Sequence, residues 1–219
     1  MLRIPEAAVA NLLLQRTQYI QPLKQAQGNQ GQLLGMMYFR EMMQEFNQIR
    51  PALPAECRSV MDIGCGLGGI DVLIDRHYGG RPTFSMVDKD GSSPRIYHGF
   101  EAEGAFYNEL SATREFLAMN GVDGSRVRTF DVNAGAFPEE TGFDVVLSLL
   151  SWGFHYPVAT YAEAVRSRLS PSGVLVLDVR LGTGGEEALS RLFGRIDVLQ
   201  ATPKYARLAV REPAAAPAH

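Results

Sequence analysis

The chain has 219 residues, 46% of them hydrophobic and 21% charged, with a net charge of −3 and a pI near 5.8. That length fits one domain with a sizeable apolar core, and the slight acidic excess leaves no basic footprint for a nucleic-acid backbone. Its only cysteines, Cys57 and Cys65, form neither a disulfide framework nor a zinc pattern, and no run reaches the roughly 18 apolar residues of a membrane span, so a soluble, unprocessed protein of a reducing cytoplasm is expected.

The first elements in chain order are helices over 5–18 and 30–49. Leu12, Leu13 and Leu14, then Leu33, Met36, Phe39, Met43 and Phe46, are spaced for apolar faces, and Gln27 to Gly31 punctuate them. The methionines of the second helix read either as an adaptable substrate wall or as plain core, and are left unassigned. From Arg58 onward strands and helices alternate. Strands are predicted over 58–63, 83–88, 126–131, 143–149, 173–179, 195–201 and 205–211, with helices over 69–78, 104–120, 158–169 and 185–193. Thr202, Pro203 and Lys204 are too few for a parallel crossover, so the last two strands form an antiparallel hairpin. The expected division is a helical cap over 1–57, an α/β domain over 58–212 and a disordered tail, PAAAPAH, over 213–219.

The run VMDIGCGLGG, 60–69, passes from an apolar strand through glycines into a helix. Backbone of that kind comes close to a bound nucleotide, with Gly64, Gly66 and Gly68 removing side chains that would hold a ligand off. Two ligands compete. Gly64, Gly66 and Gly69 also satisfy the dinucleotide pattern G-x-G-x-x-G, with Asp88 about twenty residues on. Asp62 tips the balance, because a carboxylate at the strand end repels a pyrophosphate and attracts the ammonium and sulfonium of S-adenosylmethionine.

This pattern resembles motif I of the class I S-adenosylmethionine-dependent methyltransferases, and five parallel strands followed by an antiparallel hairpin match their Rossmann-like seven-stranded fold. The resemblance covers roughly 58–211. It implies a cofactor site formed by Asp62, Gly64, Cys65, Gly66 and Gly68, by Asp88 on the ribose hydroxyls with Lys89 near the adenine, by Asp131 and Val132 at the adenine, and by Ser148. The bland reading of either Asp88 or Asp131 is a solvated strand end or helix cap.

The reaction is expected at FDVVLSLLSWGFHYP, 143–157, because strand carboxyl ends line the crevice of open α/β sheets. Trp152 and Tyr156 shape an apolar wall, Gly153 permits close approach, and His155 suits removal of a hydroxyl proton. Asp178 and Arg180 end the fifth strand, and Arg180 is suited to an anionic substrate. With only Asp178 placed among candidate metal ligands, no metal is expected. The long connection after Asp88 makes the 91–108 loop a candidate lid; the stretch 91–122, together with SLLSWGFHYP and FYNEL, resembles bacterial sugar and small-molecule O-methyltransferases, which implies Tyr97, His98, Tyr107 and Asn108 as substrate or lid contacts.

The reading is therefore an S-adenosylmethionine-dependent enzyme that methylates an oxygen of a small molecule, with no nucleic-acid or membrane partner and a homodimer left open. N- or carboxyl-methylation, a catalytically silent cofactor-binding scaffold and a nicotinamide-dependent dehydrogenase stand as alternatives.

Overall fold

The structure is a computed structural model and describes residues 1–92 and 107–213. Its centre is a seven-stranded sheet of β1 (Ser59–Ile63), β2 (Thr83–Asp88), β3 (Val127–Asp131), β4 (Phe143–Ser148), β5 (Leu169–Arg180), β6 (Phe193–Ala201) and β7 (Tyr205–Pro213), in the order β3-β2-β1-β4-β5-β7-β6. β1 pairs in parallel with β2 and β4, β2 with β3, and β4 with β5; β7 runs antiparallel to β5 and β6. The hairpin is thus inserted reversed, its second strand against β5 and its first at the sheet edge.

Period-2 alternation sorts the strand side chains into two apolar layers. Val60, Phe84, Met86, Val145, Leu147, Val174 and Val176 join one, while Met61, Ile63, Val87, Val146, Leu175 and Leu177 join the other. Both faces of these central parallel strands are covered, which explains their near-continuous hydrophobic runs.

Helices α1 (Glu6–Gln15), α2 (Ile20–Gln25) and α3 (Gln30–Ile49) precede the sheet, and their buried side chains belong to the first layer. Asn29 caps α3 by accepting from the Gln32 amide at 3.0 Å. The buried stripe of α3 is Leu34, Tyr38, Met42 and Phe46, rotated from the expected one, and Met36 is exposed. This stripe packs on α4 (Gly69–His77), which follows the glycine loop. Helices α5 (Leu110–Met119), α6 (Ala162–Arg166) and α7 (Gly185–Ser190) complete the connections.

Several element boundaries depart from the sequence reading. The helix predicted over 158–169 shrinks to a 3-10 turn at Val158–Thr160 plus α6, because β5 already begins at Leu169. That strand continues past Pro171, Ser172 and Gly173, residues that read as a turn, by shifting register between Phe143 and Val145. After β4 the segment Ser151–Tyr156 is extended and runs beside β5. Gly153 there makes room for protein backbone, since a Cβ would stand 2.7 Å from the Asp178 carbonyl oxygen. Gly91–Ser92 and Tyr107–Asn108 pair as a short antiparallel ribbon. The rest of the expected lid, Tyr97 and His98 included, and the tail beyond Pro213 lie outside the described residues. No helix among the described residues is long and apolar enough to cross a membrane.

Candidate active site at the glycine loop

β1 lies between β2 and β4, so chain connections leave it in both directions and a crevice opens at its carboxyl end. The loop leaving β1 carries Gly64, Gly66 and Gly68 at φ values of 76°, 52° and 78°, all in the left-handed region. Each glycine serves a different neighbour. The Ser151 side chain occupies the place of a Cβ on Gly64, and Met86 and Leu117 crowd Gly68 at 3.0 and 3.1 Å. Gly66 alone of the three faces open space, its nearest neighbour being Gln15 Oε1 at 4.0 Å.

Asp88, at the end of β2, ties this loop together. Its carboxylate accepts hydrogen bonds from the Gly66 amide at 2.8 Å, the Lys89 amide at 2.8 Å and the Asn108 side-chain amide at 3.1 Å. Burial pushes the Asp88 carboxyl up to about 6 against the pull of these donors. Asn108, expected as a substrate or lid contact, borders the cavity in this crevice but is buried and donates to Asp88, and the Thr113 hydroxyl beside it donates to the Gly66 carbonyl at 2.7 Å. The Cys65 thiol sits 3.9 Å from Asp88, and burial together with that carboxylate holds it well above the usual thiol range. Asp62 is 4% exposed, and burial first, then the charges of Asp71 and Asp88, raise its carboxyl well above the ordinary range.

These groups border a cavity of about 280 Å³. Asp62, Gly64, Cys65, Gly66 and Asp88 form its floor, Gln15, Arg16, Tyr38, Met42 and Glu45 of the N-terminal helices form its roof, and His155 and Tyr156 close one side. A smaller cavity of about 30 Å³ adjoins it, between Asp88, Lys89, Val132, Trp152, Tyr156 and Tyr161. The Lys89 ammonium lies 5.3 Å from the centre of the Tyr156 ring. Burial raises the Tyr156 phenol to about 12.

Several expected site residues stand elsewhere. Asp131 borders neither cavity; its Oδ1 accepts from the Asp90 and Asn133 amides at 3.1 and 2.9 Å and caps a turn. Ser148 is fully buried, donating to the Ile63 carbonyl at 2.8 Å and accepting from the Trp152 amide at 2.9 Å, so it links two loops. Trp152 touches the smaller cavity but is fully buried, its indole N–H donating to the Val158 carbonyl at 2.9 Å. Arg180 borders neither cavity; it donates to the Phe154 carbonyl at 2.9 Å and lies over the Phe154 ring. Asp178 does not face the cleft either. It is fully buried in a bidentate pair with Arg207, at 2.7 and 2.8 Å, and accepts from the Leu150 amide at 2.9 Å. Tyr107 pairs through its backbone with Ser92 in the ribbon.

The sequence reading expected a helical cap over 1–57 but named none of the polar residues that face the cavity from it. Arg16 pairs with Glu41, which also accepts from the Tyr19 hydroxyl. Glu45 pairs with Arg207, 162 positions away, and Gln48 joins them at 2.6 Å. No local pattern announces a partner at that separation. The alternation of polar Glu41, Glu45 and Gln48 with the buried stripe of α3 was the one available hint.

A scan of protein-family models gives no match, and neither does a search of curated proteins. Solved structures do match. The chain is similar to a precorrin-6y C5,15-methyltransferase from Geobacter metallireducens, at 14% identity over 78% of this chain and 87% of that one, with a TM-score of 0.53. It is similar to a candidate O-methyltransferase from Nostoc punctiforme, at 16% identity over 88% and 60% of the two chains, TM-score 0.55. A third likeness, at 17% identity over 79% of this chain and 42% of the other, with a TM-score of 0.50, is to a 16S rRNA N2 G1207 methyltransferase of T. thermophilus in complex with AdoMet and guanosine. The chain has the Rossmann-like fold of the class I S-adenosylmethionine-dependent methyltransferases. The acceptors named for these three proteins differ, so the fold leaves the acceptor open.

Proposed function

We propose that the protein is an S-adenosylmethionine-dependent methyltransferase acting on an oxygen of a small, sugar-like or natural-product molecule. The observation that carries the cofactor reading is that two acidic groups, Asp62 and Asp88, line the same cavity floor as the open Gly66. A floor of that charge suits an ammonium at one end and ribose hydroxyls at the other, and it opposes the pyrophosphate of a nicotinamide dinucleotide. Asp62 would hold the ammonium, Asp88 the ribose, Gly66 the close-lying backbone, and Lys89 with Val132 the adenine. When bound, S-adenosylmethionine supplies an electrophilic methyl group on sulfur.

The chain's own residues then have to orient an acceptor, exclude water and hold a proton. Residues 1–57 serve as the cap, with Arg16, Tyr38, Met42 and Glu45 enclosing the cavity from above. A cavity of about 280 Å³ under this roof favours a small acceptor over a nucleic acid, in keeping with the net charge of −3. His155 borders the cavity with its ring against Phe154, and a neutral imidazole there accepts the proton of an acceptor hydroxyl. Cys57 and Cys65, both buried and free, suit a cytoplasmic setting.

Glu45, which borders the cavity while paired with Arg207, favours a second reading, N-methylation, because its carboxylate can also accept a hydrogen bond from an amine N–H. Incubation of S-adenosylmethionine with panels of small alcohols, phenols and amines, followed by release of S-adenosylhomocysteine, tests both. Turnover with hydroxyl acceptors supports the first reading, and turnover confined to amines supports the second. Binding of S-adenosylhomocysteine with no turnover on any panel would point to a silent scaffold.

A further inference from the structure

One buried acid has no task in this account. Asp71 lies in the first turn of α4, is fully buried, and neither carboxyl oxygen has a hydrogen-bond donor. A helix N-terminus favours an acidic side chain that keeps its water or accepts from the first amides. It does not account for one stripped of both. Apolar groups of Met86 and Leu117 stand beside Gly68, where Asp71 Oδ2 also approaches.

The partner is Asp62, whose carboxyl lies within hydrogen-bonding reach of that of Asp71. Two carboxylates cannot bond each other, whereas a carboxylic acid and a carboxylate can. Burial holds both groups above the ordinary carboxylate range, and the charge of Asp71 adds to the effect on Asp62. The other ionisable groups acting on the pair are Asp88 at the end of β2, Cys65 in the glycine loop and Tyr38 on α3. Arg16 stands beyond Tyr38 and is bonded to Glu41. The pair therefore faces further acids and a phenol. Only Asp62 of the two borders the cavity.

We propose that Asp62 and Asp71 share one proton in the ligand-free protein, and that an ammonium entering at Asp62 displaces it, making Asp71 a positioning residue for the ammonium-binding carboxylate. This rests on the cofactor reading above. The exchange balances: the protonated pair and a cationic ligand give the complex and one free proton, which passes to the buffer. A ligand that lacks the cation leaves the shared proton in place and binds without releasing it.

Calorimetry of S-adenosylhomocysteine binding near pH 6.5, in buffers of different ionisation enthalpy, counts the released protons directly. The wild type is expected to release about one proton per ligand bound, and 5′-methylthioadenosine, which lacks the ammonium, about none. Asp71→Asn offers Asp62 an amide N–H in place of the shared proton, so it is expected to bind S-adenosylhomocysteine within about tenfold of wild type while releasing about none. Should Asp71→Asn fail to fold, the wild-type contrast between the two ligands decides. Binding of S-adenosylhomocysteine without proton release, equal release with methylthioadenosine, or undiminished release from Asp71→Asn overturns the proposal and leaves the cofactor reading standing. Absence of S-adenosylhomocysteine binding overturns both.

Discussion

The Ser151 hydroxyl stands where Gly64 would carry a side chain, so the glycine loop and the segment after β4 are pressed together at the centre of the site. Gly64→Ala must displace Ser151 and also adopt a φ of 76°, which together are expected to cost about 1–3 kcal/mol of stability. Urea denaturation measures this. Gly66→Ala has open space before it, so its loss should appear mainly as weaker S-adenosylhomocysteine binding, with a smaller drop in stability from strain at φ 52°.

Asp88 organises the loop through three donors and is also the proposed ribose acceptor. Asp88→Ala removes a charged acceptor and frees the Gly66 amide, and should weaken S-adenosylhomocysteine binding by about 2–3 kcal/mol, a loss of roughly thirtyfold to more than a hundredfold. Isothermal calorimetry reads the change.

The buried carboxyls make the ligand-free protein sensitive to pH in an uncommon direction. Asp71 and Asp88 are raised from 3.8 to about 6, so between those values the folded chain holds more protons than the unfolded one. Stability should then fall as pH rises through this window and level off above it, the reverse of a salt-bridged carboxylate. A melting temperature that rises as pH is lowered from about 6.5 to about 4.5, with a flatter profile for Asp71→Asn, is the expected outcome.

Arg207 is fully buried between Asp178 and Glu45, tying β7, β5 and α3 to the Leu150 amide, where the backbone takes a φ of 52°. Arg207→Met leaves two acids unpaired, one of them fully buried, and should cost about 3–5 kcal/mol by denaturation. Pairing it with Asp178→Leu should recover part of that loss.

His155→Ala should lower kcat by about 10²-fold or more with a hydroxyl acceptor, while S-adenosylhomocysteine affinity stays close to wild type. A change in turnover smaller than about threefold at saturating acceptor would remove the base from the proposed mechanism. Chelator should leave the rate unchanged.

Much of this architecture was legible from residue order. The alternation after Arg58, the three-residue link before Tyr205 and the glycine run each encode a local constraint, and the structure carries the seven strands they imply. Where Pro171 and Gly173 continue a strand, pairing with β4 overrides local turn preference. The site was legible along the loop but not across it. Asp62, Gly66 and Asp88 follow from strand ends, whereas Glu45 with Arg207 and Asp62 with Asp71 depend on which helix roofs which strand. Ser148 and Asp131 sit at the expected strand ends, yet their oxygens are spent on neighbouring backbone, a commitment that only the loop conformations reveal.

Titration calorimetry of the purified protein against S-adenosylhomocysteine and, separately, NAD tests the cofactor reading most directly. Saturable, one-to-one binding of S-adenosylhomocysteine, lost in Asp62→Ala, with no heat from NAD, is the predicted result. Saturation with NAD and none with S-adenosylhomocysteine would contradict it.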